Sequence, residues 1–499
     1  MLILGYFTYG KIVEKVFAPD DRDTPAKKLN DGVDYVPMKT WKAFLVQLLN
    51  IAGTGPIFGA LMGACFGPIV FLWIVFGSIL GGAVHDYMVG MISERNEGKS
   101  IAELSGIYID SGAKWIMRIF SVLLLLLTGT VFVNSPATLI ANLTPKSLNA
   151  TFWIIVILIY YVLATLLPID KIIGKMYPVF GVVLIVMALG IVFGILHGGY
   201  TVPELELSNL HPSDLPVWPY MFITVACGAI SGFHATQSPM MAKCITSEKE
   251  GRKVFYGAML SESVIALVWA AGGVAFYGTT QALSDALTEV GQSSVVYDIS
   301  TGMLGAVGGV LAVVGVIACP ITSGDTAFRS ARLILSEMTG LNQKPIKNRL
   351  LITLPLLGAG AVLTQLDFNV LWRYFSWSNQ SLAMITLWVC AIYLGRSKST
   401  VSASSCGASD SDTSSADTSK STFAVRQRFS KKGYLISFMC AIPATFMSAV
   451  SMTYILMAKE GFKLSSKIAY PVGILFAILC FVTYSIYALR ARKSVPKGK

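Results

Sequence analysis

Ionisable side chains stand inside otherwise apolar stretches of this sequence. Glu262 lies in the run LSESVIAL, and His85 and Asp86 are adjacent in a second apolar stretch. Because a charge in the membrane interior is costly, such residues indicate by default an ion or proton pathway. The sequence therefore predicts a coupling set with Glu262 as the first choice for the proton-carrying group. Its members are Glu262, His85, Asp86, Thr322, Ser323 and Asp325.

Four members of this coupling set also have structural alternatives. Asp325 and Arg329 are four residues apart, the spacing of an ion pair along one helix. Asp86 lies about two turns from Ser93, so it could instead be a paired or solvated residue near the lipid headgroups. The adjacent hydroxyls of Thr322 and Ser323 are equally typical of simple contacts between membrane helices.

Two short breaks interrupt apolar stretches in the two halves of the chain. Glycine and proline release backbone groups from helical hydrogen bonds, and lipid tolerates this only where the backbone is buried in protein or lines a wet cavity. The N–H ends of half-helices suit a carboxylate, and their C=O ends suit a cation. The breaks therefore predict a site for a small anionic or zwitterionic substrate. Its predicted residues are Gly53, Thr54, Gly55 and Pro56 in the first break, and Ser231, Gly232, Phe233, His234, Thr236 and Gln237 in the second, which is predicted to run from Ser231 to Pro239.

Sodium is an alternative to the proton as the coupling ion. The hydroxyls of Thr322 and Ser323, with carbonyls near Ala52 and Gly55, could form an oxygen cage for Na⁺, or hold water in a proton-coupled carrier. No organic cofactor is predicted. The eight cysteines form no C-x-x-C pair, and they predict neither a disulfide framework nor a zinc site.

Composition places these residues in a polytopic membrane protein. The 499-residue chain is 54% hydrophobic and only 13% charged, with a mean hydropathy of +0.63, whereas soluble domains are about 25% charged. The net charge of +11 lies in short loops between apolar stretches. It therefore indicates a lipid bilayer as the partner, and not a nucleic acid. The sequence has no HExxH, Walker A or GxSxG motif, so an enzyme is not expected, and no obligate protein partner is inferred.

Hydropathy predicts an all-α fold with thirteen membrane spans, since a span needs roughly 20 apolar residues. The first is the least certain, because Lys11, Glu14 and Lys15 shorten its apolar part. The predicted spans are 1–17, 41–62, 68–92, 114–140, 151–167, 176–196, 219–238, 254–278, 302–324, 348–366, 370–395, 433–457 and 468–490.

Lysine and arginine predict the orientation of these spans. They concentrate in loops 18–40, 93–113, 239–253, 325–347 and 396–432, and the alternating loops 63–67, 197–218, 279–301 and 367–369 carry almost none. The positive-inside rule then places the amino terminus outside and the carboxyl terminus in the cytoplasm. Loop 458–467 has three lysines on the predicted outer side, which leaves the orientation of the last two helices open.

The positions of the breaks predict an internal symmetry. Ten spans lie between residues 41 and 395, and the broken ones are the first and the sixth. This is the arithmetic of a five-plus-five inverted repeat, here 41–196 and 219–395. Residues 1–40 are predicted to form a helix and a cytoplasmic loop. Residues 396–432 are a Ser-rich segment predicted to be a disordered linker, and 433–499 are a two-helix extension with a basic tail.

Five motifs resemble those of the carbon starvation protein A (CstA) family. They are NDGVDYVP (30–37), AGTGPIFG (52–59), GAVHD (82–86), CGAISGFHATQSP (227–239) and PITSGDTAFRSAR (320–332). The resemblance extends from about residue 4 to 395. It implies a LeuT-like secondary carrier of the bacterial inner membrane that takes up peptides or, in some members, pyruvate, with proton symport, in the response to carbon starvation. A membrane nutrient sensor that uses the same fold is the alternative.

Overall fold

The described residues of the computed structural model are 1–32, 34–166, 169–396 and 429–493, and they fold into α-helices joined by short loops. We number the helices in chain order. The helices are α1 (Leu2–Phe7), α2 (Tyr9–Phe17), α3 (Pro25–Lys28), α4 (Thr40–Ile51), α5 (Gly55–Ala64), α6 (Ile69–Arg95), α7 (Ile101–Tyr108), α8 (Ser111–Leu143), α9 (Ala150–Leu166), α10 (Ile169–His197), α11 (Val217–Thr224), α12 (Gly232–Ala242), α13 (Glu248–Tyr277), α14 (Thr280–Glu289), α15 (Gly291–Thr339), α16 (Ile346–Leu363), α17 (Phe368–Gly395), α18 (Lys431–Met457) and α19 (Ser466–Lys493).

The all-α, polytopic architecture is confirmed, but the helices that could span a membrane by length and composition are fewer than thirteen. Among the described residues eight helices qualify, or nine when the bent pair α4–α5 is counted as one span. Four predicted spans fall on helices that this criterion leaves out. Residues 1–17 are split at Thr8 into two short helices, 151–167 correspond to the shorter apolar helix α9, 219–238 fall on the half-helices α11 and α12, and 370–395 lie in α17.

A helix interruption is present in each half of the chain, although the second begins earlier than predicted. Helices α4 and α5 meet at an angle of 50° across residues 52–54. Helices α11 and α12 are separated by residues 225–231. Helix α5 packs along α13, and α12 packs against α6 and α17, so protein surrounds both interruptions and their backbone is buried.

The loops divide between two faces as the charge pattern predicts. On one face, Arg95 pairs with Glu248 at 2.8 Å, and the backbone N–H of Asp20 donates to the same carboxylate at 2.8 Å. On the other face, the N–H of Leu210 donates to the carbonyl of Phe66 at 3.2 Å, and the Thr280 hydroxyl donates to the carbonyl of Leu210 at 2.9 Å. Lysine-rich and lysine-poor loops therefore gather separately, and the side of the membrane to which each face belongs stays a prediction.

The ion pairs on the basic face join distant loops. Glu248 is fully buried, and it accepts from Arg95 and lies 3.3 Å from Arg22. Hydrogen bonding to Arg22 holds the pKa of the Asp20 carboxyl below its ordinary value. Arg95 also lies over the Phe17 ring at 3.9 Å. One buried carboxylate therefore fixes the end of α2 against α6 and α13.

The carboxyl-terminal helices are attached to the rest of the protein through α17. Helix α18 packs along α17, and α19 packs along α18. Arg373 at the start of α17 pairs with Glu460, which places loop 458–467 on the face opposite the basic loops. The predicted disordered linker falls almost wholly on residues 397–428, which lie outside the described residues. The proposed repeat boundaries stay a prediction.

Cysteine labelling tests which face is cytoplasmic. In a background without native cysteines, a membrane-impermeant maleimide added to intact cells is expected to modify Ser208→Cys, which is exposed in the lysine-poor loop 197–218. Ser247→Cys, in the basic loop, should react only after the membrane is permeabilised. Labelling of Ser247→Cys in intact cells would contradict the proposed orientation.

Candidate functional site

The first break places a buried hydroxyl at the start of α5. The N–H of Gly53 donates to the carbonyl of Ile51 at 3.0 Å, and the N–H of Phe58 donates to the carbonyl of Thr54 at 2.8 Å. The hydroxyl of Thr54 is buried and has no hydrogen-bond partner among the described residues. Pro56 has no N–H to donate. The amino end of α5 therefore presents a hydroxyl, together with the positive end of the helix dipole, in a buried location.

The second break lies slightly earlier than the sequence predicts. It occupies residues 225–231, whereas Gly232 to Pro239 are helical and form most of α12. The chain turns at Gly228, whose φ of 86° is left-handed and strained for other residues. Pro239 therefore does not mark the position of the break, because it lies within helix α12. The turn depends on Gly228 instead.

The two breaks are in contact with each other. A Cβ atom added at Gly55 would lie 2.4 Å from the Cys227 sulfur, and one added at Gly228 would lie 3.7 Å from the Cα of Pro56. Gly232 is equally close to α17, because its added Cβ would lie 2.2 Å from the carbonyl oxygen of Asn379. A side chain at Gly55 would therefore meet the Cys227 side chain, and one at Gly232 would meet the backbone of α17.

Two adjacent amides on α17, which the sequence analysis did not identify, satisfy the second break. The Asn379 side-chain oxygen accepts from the N–H of Phe233 at 2.6 Å and from the Ser231 hydroxyl at 3.1 Å. The Gln380 amide nitrogen lies 3.1–3.4 Å from three carbonyl oxygens at the end of α11, those of Phe222, Val225 and Ala226. One amide therefore caps the N–H end of α12, and the next caps the C=O end of α11.

A buried chain of ionisable side chains lies beside the second break. The Nδ1 atom of His85 lies 2.8 Å from Oδ1 of Asp86, and the Nδ1 atom of His234 lies 2.8 Å from Oδ2 of the same carboxylate. The Nε2 atom of His234 lies 3.4 Å from the carboxylate of Glu262. All four side chains are fully buried. Three predicted coupling residues are therefore gathered together with His234, which was predicted for substrate binding.

Five predicted binding residues lie within α12, namely Gly232, Phe233, His234, Thr236 and Gln237. The Thr236 hydroxyl donates to the carbonyl of Phe233 at 2.6 Å, and the Gln237 amide lies 3.0 Å from Thr236 and 3.3 Å from the Ser330 hydroxyl. The Phe233 ring packs edge-on against Phe132. These side chains lie beyond the break, toward the basic face, and their proposed contact with substrate stays a prediction.

The hydroxyl-bearing segment of α15 contacts the end of α4. The Ser323 hydroxyl donates to the carbonyl of Leu49 at 3.0 Å, and the Cys319 sulfur lies 3.1 Å from the carbonyl of Ala52. The hydroxyl of Thr322 donates to the carbonyl of Cys319 in its own helix at 2.8 Å. The structure therefore places Ser323 and Ala52 in one neighbourhood, and the sodium cage itself stays a prediction.

Asp325 lies apart from the buried chain of ionisable groups. Its carboxylate is 3.7 Å from the guanidinium of Arg329, one turn further along α15, and both side chains are buried. Arg329 also donates to the carbonyl of Ala164 at 3.2 Å. The helix ion pair that the spacing allows is therefore formed.

A known protein family matches this sequence. The profile described as "Carbon starvation protein CstA" matches residues 1–152 and 135–271, which together are more than half of the 499 residues. The chain belongs to the CstA family. An uncharacterised membrane protein of Haemophilus influenzae is 44% identical over 58% of this chain and 92% of its own length.

Family relatives with assigned names are more distant. The Escherichia coli peptide transporter CstA is 26% identical over 79% of this chain and 76% of its own length. The E. coli pyruvate/proton symporter BtsT is 29% identical over 52% of this chain and 45% of its own length. The named relatives of this CstA-family protein are thus transporters.

Solved structures confirm the LeuT-like fold. An Eremococcus coleocola manganese transporter superimposes with a TM-score of 0.56 at 12% identity and covers 93% of this chain and 98% of that chain. Mhp1, a nucleobase-cation-symport-1 family transporter in a closed conformation, has a TM-score of 0.52 at 13% identity, with 94% and 97% covered. At this identity the likeness establishes the fold alone.

Removal of the two amides should destabilise the second break. Asn379→Ala and Gln380→Ala each leave buried backbone groups unpaired, and we expect a loss of about 1–3 kcal/mol per variant. The measurement is thermal unfolding in detergent, with uptake assayed in parallel. Ser376→Ala is the matched control, because this α17 hydroxyl is buried and has no hydrogen-bond partner among the described residues. Equal stability of Asn379→Ala and Ser376→Ala would contradict the capping role.

A paired substitution tests the contact between the breaks. Gly55→Ala places a methyl group against the Cys227 side chain, and overpacking of this kind typically costs about 1–3 kcal/mol. Gly55→Ala/Cys227→Gly removes the side chain that is in the way. Unfolding temperatures should therefore fall in the single variant and recover in the pair. Failure of the second substitution to restore stability would show that Gly55 is needed for another reason.

Proposed function

We propose that this CstA-family protein is a secondary active transporter that takes up a small carboxylate-bearing nutrient together with a cation. The observation that carries the proposal is the contact between two broken helices, Gly55 against Cys227, deep within the protein. Discontinuous helices in the two halves are how many carriers hold a substrate near the bilayer midplane. Peptides, pyruvate and amino acids all carry a carboxylate, and the names of the E. coli relatives include the first two.

The amino end of α5 is the proposed site of the substrate carboxylate. The corresponding end of α12 is already occupied, since Asn379 accepts from the N–H of Phe233. At α5 the buried Thr54 hydroxyl has no partner among the described residues. A carboxylate there would receive a hydrogen bond from Thr54 and would face the positive end of the helix dipole.

The cation is proposed to be a proton or sodium. The arrangement of Asp86, His234 and Glu262 in one buried line supports a proton, as does the naming of one relative as a pyruvate/proton symporter. The approach of Ser323 to the carbonyl of Leu49 supports sodium. A proton gradient and a sodium gradient can each be imposed alone, and this shows which of the two ions drives uptake.

Uptake into proteoliposomes tests the function. Purified protein should accumulate radiolabelled pyruvate, a dipeptide or an amino acid against its gradient when an inward proton or sodium gradient is imposed, and accumulation should stop when that gradient is dissipated. Saturable binding of such a compound without accumulation under either gradient would reject the carrier and favour a nutrient sensor.

A single hydroxyl tests the carboxylate site. Thr54→Val keeps the side-chain shape but removes the donor, and we expect a roughly tenfold weaker apparent affinity for the transported compound. Thr353→Val is the matched control, because Thr353 on α16 is also a buried threonine whose hydroxyl lacks a partner among the described residues. Unchanged affinity in Thr54→Val would place the carboxylate elsewhere.

A further inference from the structure

Three potential metal ligands converge at the second break. Cys227 lies in the break, His234 lies in the first turn of α12, and Glu262 lies in α13. One ligand atom from each, namely a sulfur, a ring nitrogen and a carboxylate oxygen, lies within 4.8 Å of the other two. All three residues are buried. A tetrahedral ion with bonds of about 2.0–2.3 Å would hold such atoms roughly 3.5 Å apart, so small side-chain movements suffice to enclose one.

The carboxylate and the imidazole that face this space are incompletely hydrogen-bonded within the described residues, whereas the Cys227 sulfur lies 3.4 Å from the Ser231 hydroxyl and 3.5 Å from the Asn379 amide nitrogen. Neither oxygen of Glu262 nor the Nε2 atom of His234 has a hydrogen bond of good geometry to any described residue. The nearest pair is His234 Nε2 and a Glu262 oxygen, 3.4 Å apart. Buried polar groups without partners are costly, and an ion is one of the few occupants that satisfies a carboxylate, an imidazole and a thiol together.

Asp86 fixes the orientation of the His234 ring. Its carboxylate lies 2.8 Å from Nδ1 of His234, and this contact directs Nε2 toward Glu262. The other oxygen of Asp86 is held by His85 at 2.8 Å. A histidine that gives one ring nitrogen to a carboxylate and turns the other to the ligand space has the arrangement found around metal-binding histidines.

We propose that Cys227, His234 and Glu262 bind a zinc-like divalent transition-metal ion. Thiolate, imidazole and carboxylate together favour Zn²⁺ over the hard cations Ca²⁺ and Mg²⁺, which prefer oxygen ligands alone. The thiolate and the carboxylate balance the two positive charges. Binding requires the thiol to lose its proton, which passes to the buffer. Three protein ligands leave a fourth position for water or another small ligand.

The bound ion would arrest transport. It would join the second break to α13 and occupy His234 and Glu262, two residues proposed for cation coupling. This consequence rests on the proposed transport function, whereas metal binding itself does not. Micromolar Zn²⁺ is therefore expected to inhibit uptake reversibly, with recovery on addition of a chelator.

Metal binding can be measured directly on the purified chain. After treatment with a chelator and equilibration with ZnCl₂, the wild-type protein should retain one zinc per chain by elemental analysis. With CoCl₂ it should show the ultraviolet charge-transfer absorption of a cobalt–thiolate bond. Cys227→Ser should lose that absorption and bind zinc about tenfold to hundredfold more weakly, and Glu262→Gln should weaken binding similarly.

Two controls make the result decisive. Cys65→Ser removes another buried cysteine and should retain both the zinc and the cobalt absorption. Size-exclusion chromatography shows whether each variant is folded. Zinc binding by Cys227→Ser as tight as in Cys65→Ser, or no zinc in a folded wild-type chain, would overturn the proposal. One zinc per chain in a protein that transports nothing would reject the proposed function and leave the metal site standing.

Discussion

The satisfaction of backbone groups at the second helix break is the constraint on which the rest of the site depends. A membrane interior offers no water for exposed N–H and C=O groups. Helix α17 supplies the partners from two consecutive residues, Asn379 for the N–H end and Gln380 for the C=O end. The glycine at position 232 lets α17 approach closely enough to do so. The helix can therefore stay interrupted at residues 225–231 while Asn379 and Gln380 hydrogen-bond the backbone groups at the two ends of the break.

The buried charges are placed relative to this break. Asp86 comes from α6, and it reaches His234 only because α12 starts where the break ends. Glu262 comes from α13, and it approaches the same histidine from the other side. The line Asp86–His234–Glu262 thus connects two continuous helices through a discontinuous one. Any movement of the break relative to α6 or α13 would alter these contacts, which is a physical means of linking a cation to conformation.

The two breaks depend on each other sterically. A Cβ atom at Gly55 would meet the Cys227 side chain, and one at Gly228 would lie 3.7 Å from the Cα of Pro56. Helix α4 is also held by α15, through the Ser323 hydroxyl and the Leu49 carbonyl. At the basic face the network around Glu248 fixes the ends of α2, α6 and α13 relative to one another. Glycine contacts therefore hold the two breaks together, and ion pairs around Glu248 hold the helix ends at the basic face.

The sequence by itself determined the class of protein and the ingredients of the site. Hydropathy, the clustering of lysine and arginine, and the glycine and proline signals are local properties, so they indicated membrane helices, two groups of loops and two breaks. The family motifs indicated the LeuT-like fold.

Tertiary structure decided which residues meet. In the folded protein Asp325 pairs with Arg329, and the second break lies at residues 225–231. Asn379 and Gln380 hydrogen-bond groups at that break. Tertiary structure also placed Cys227, which shows no metal-binding spacing in the sequence, beside His234 and Glu262. Such contacts join different helices, and their geometry depends on helix packing that no local pattern specifies.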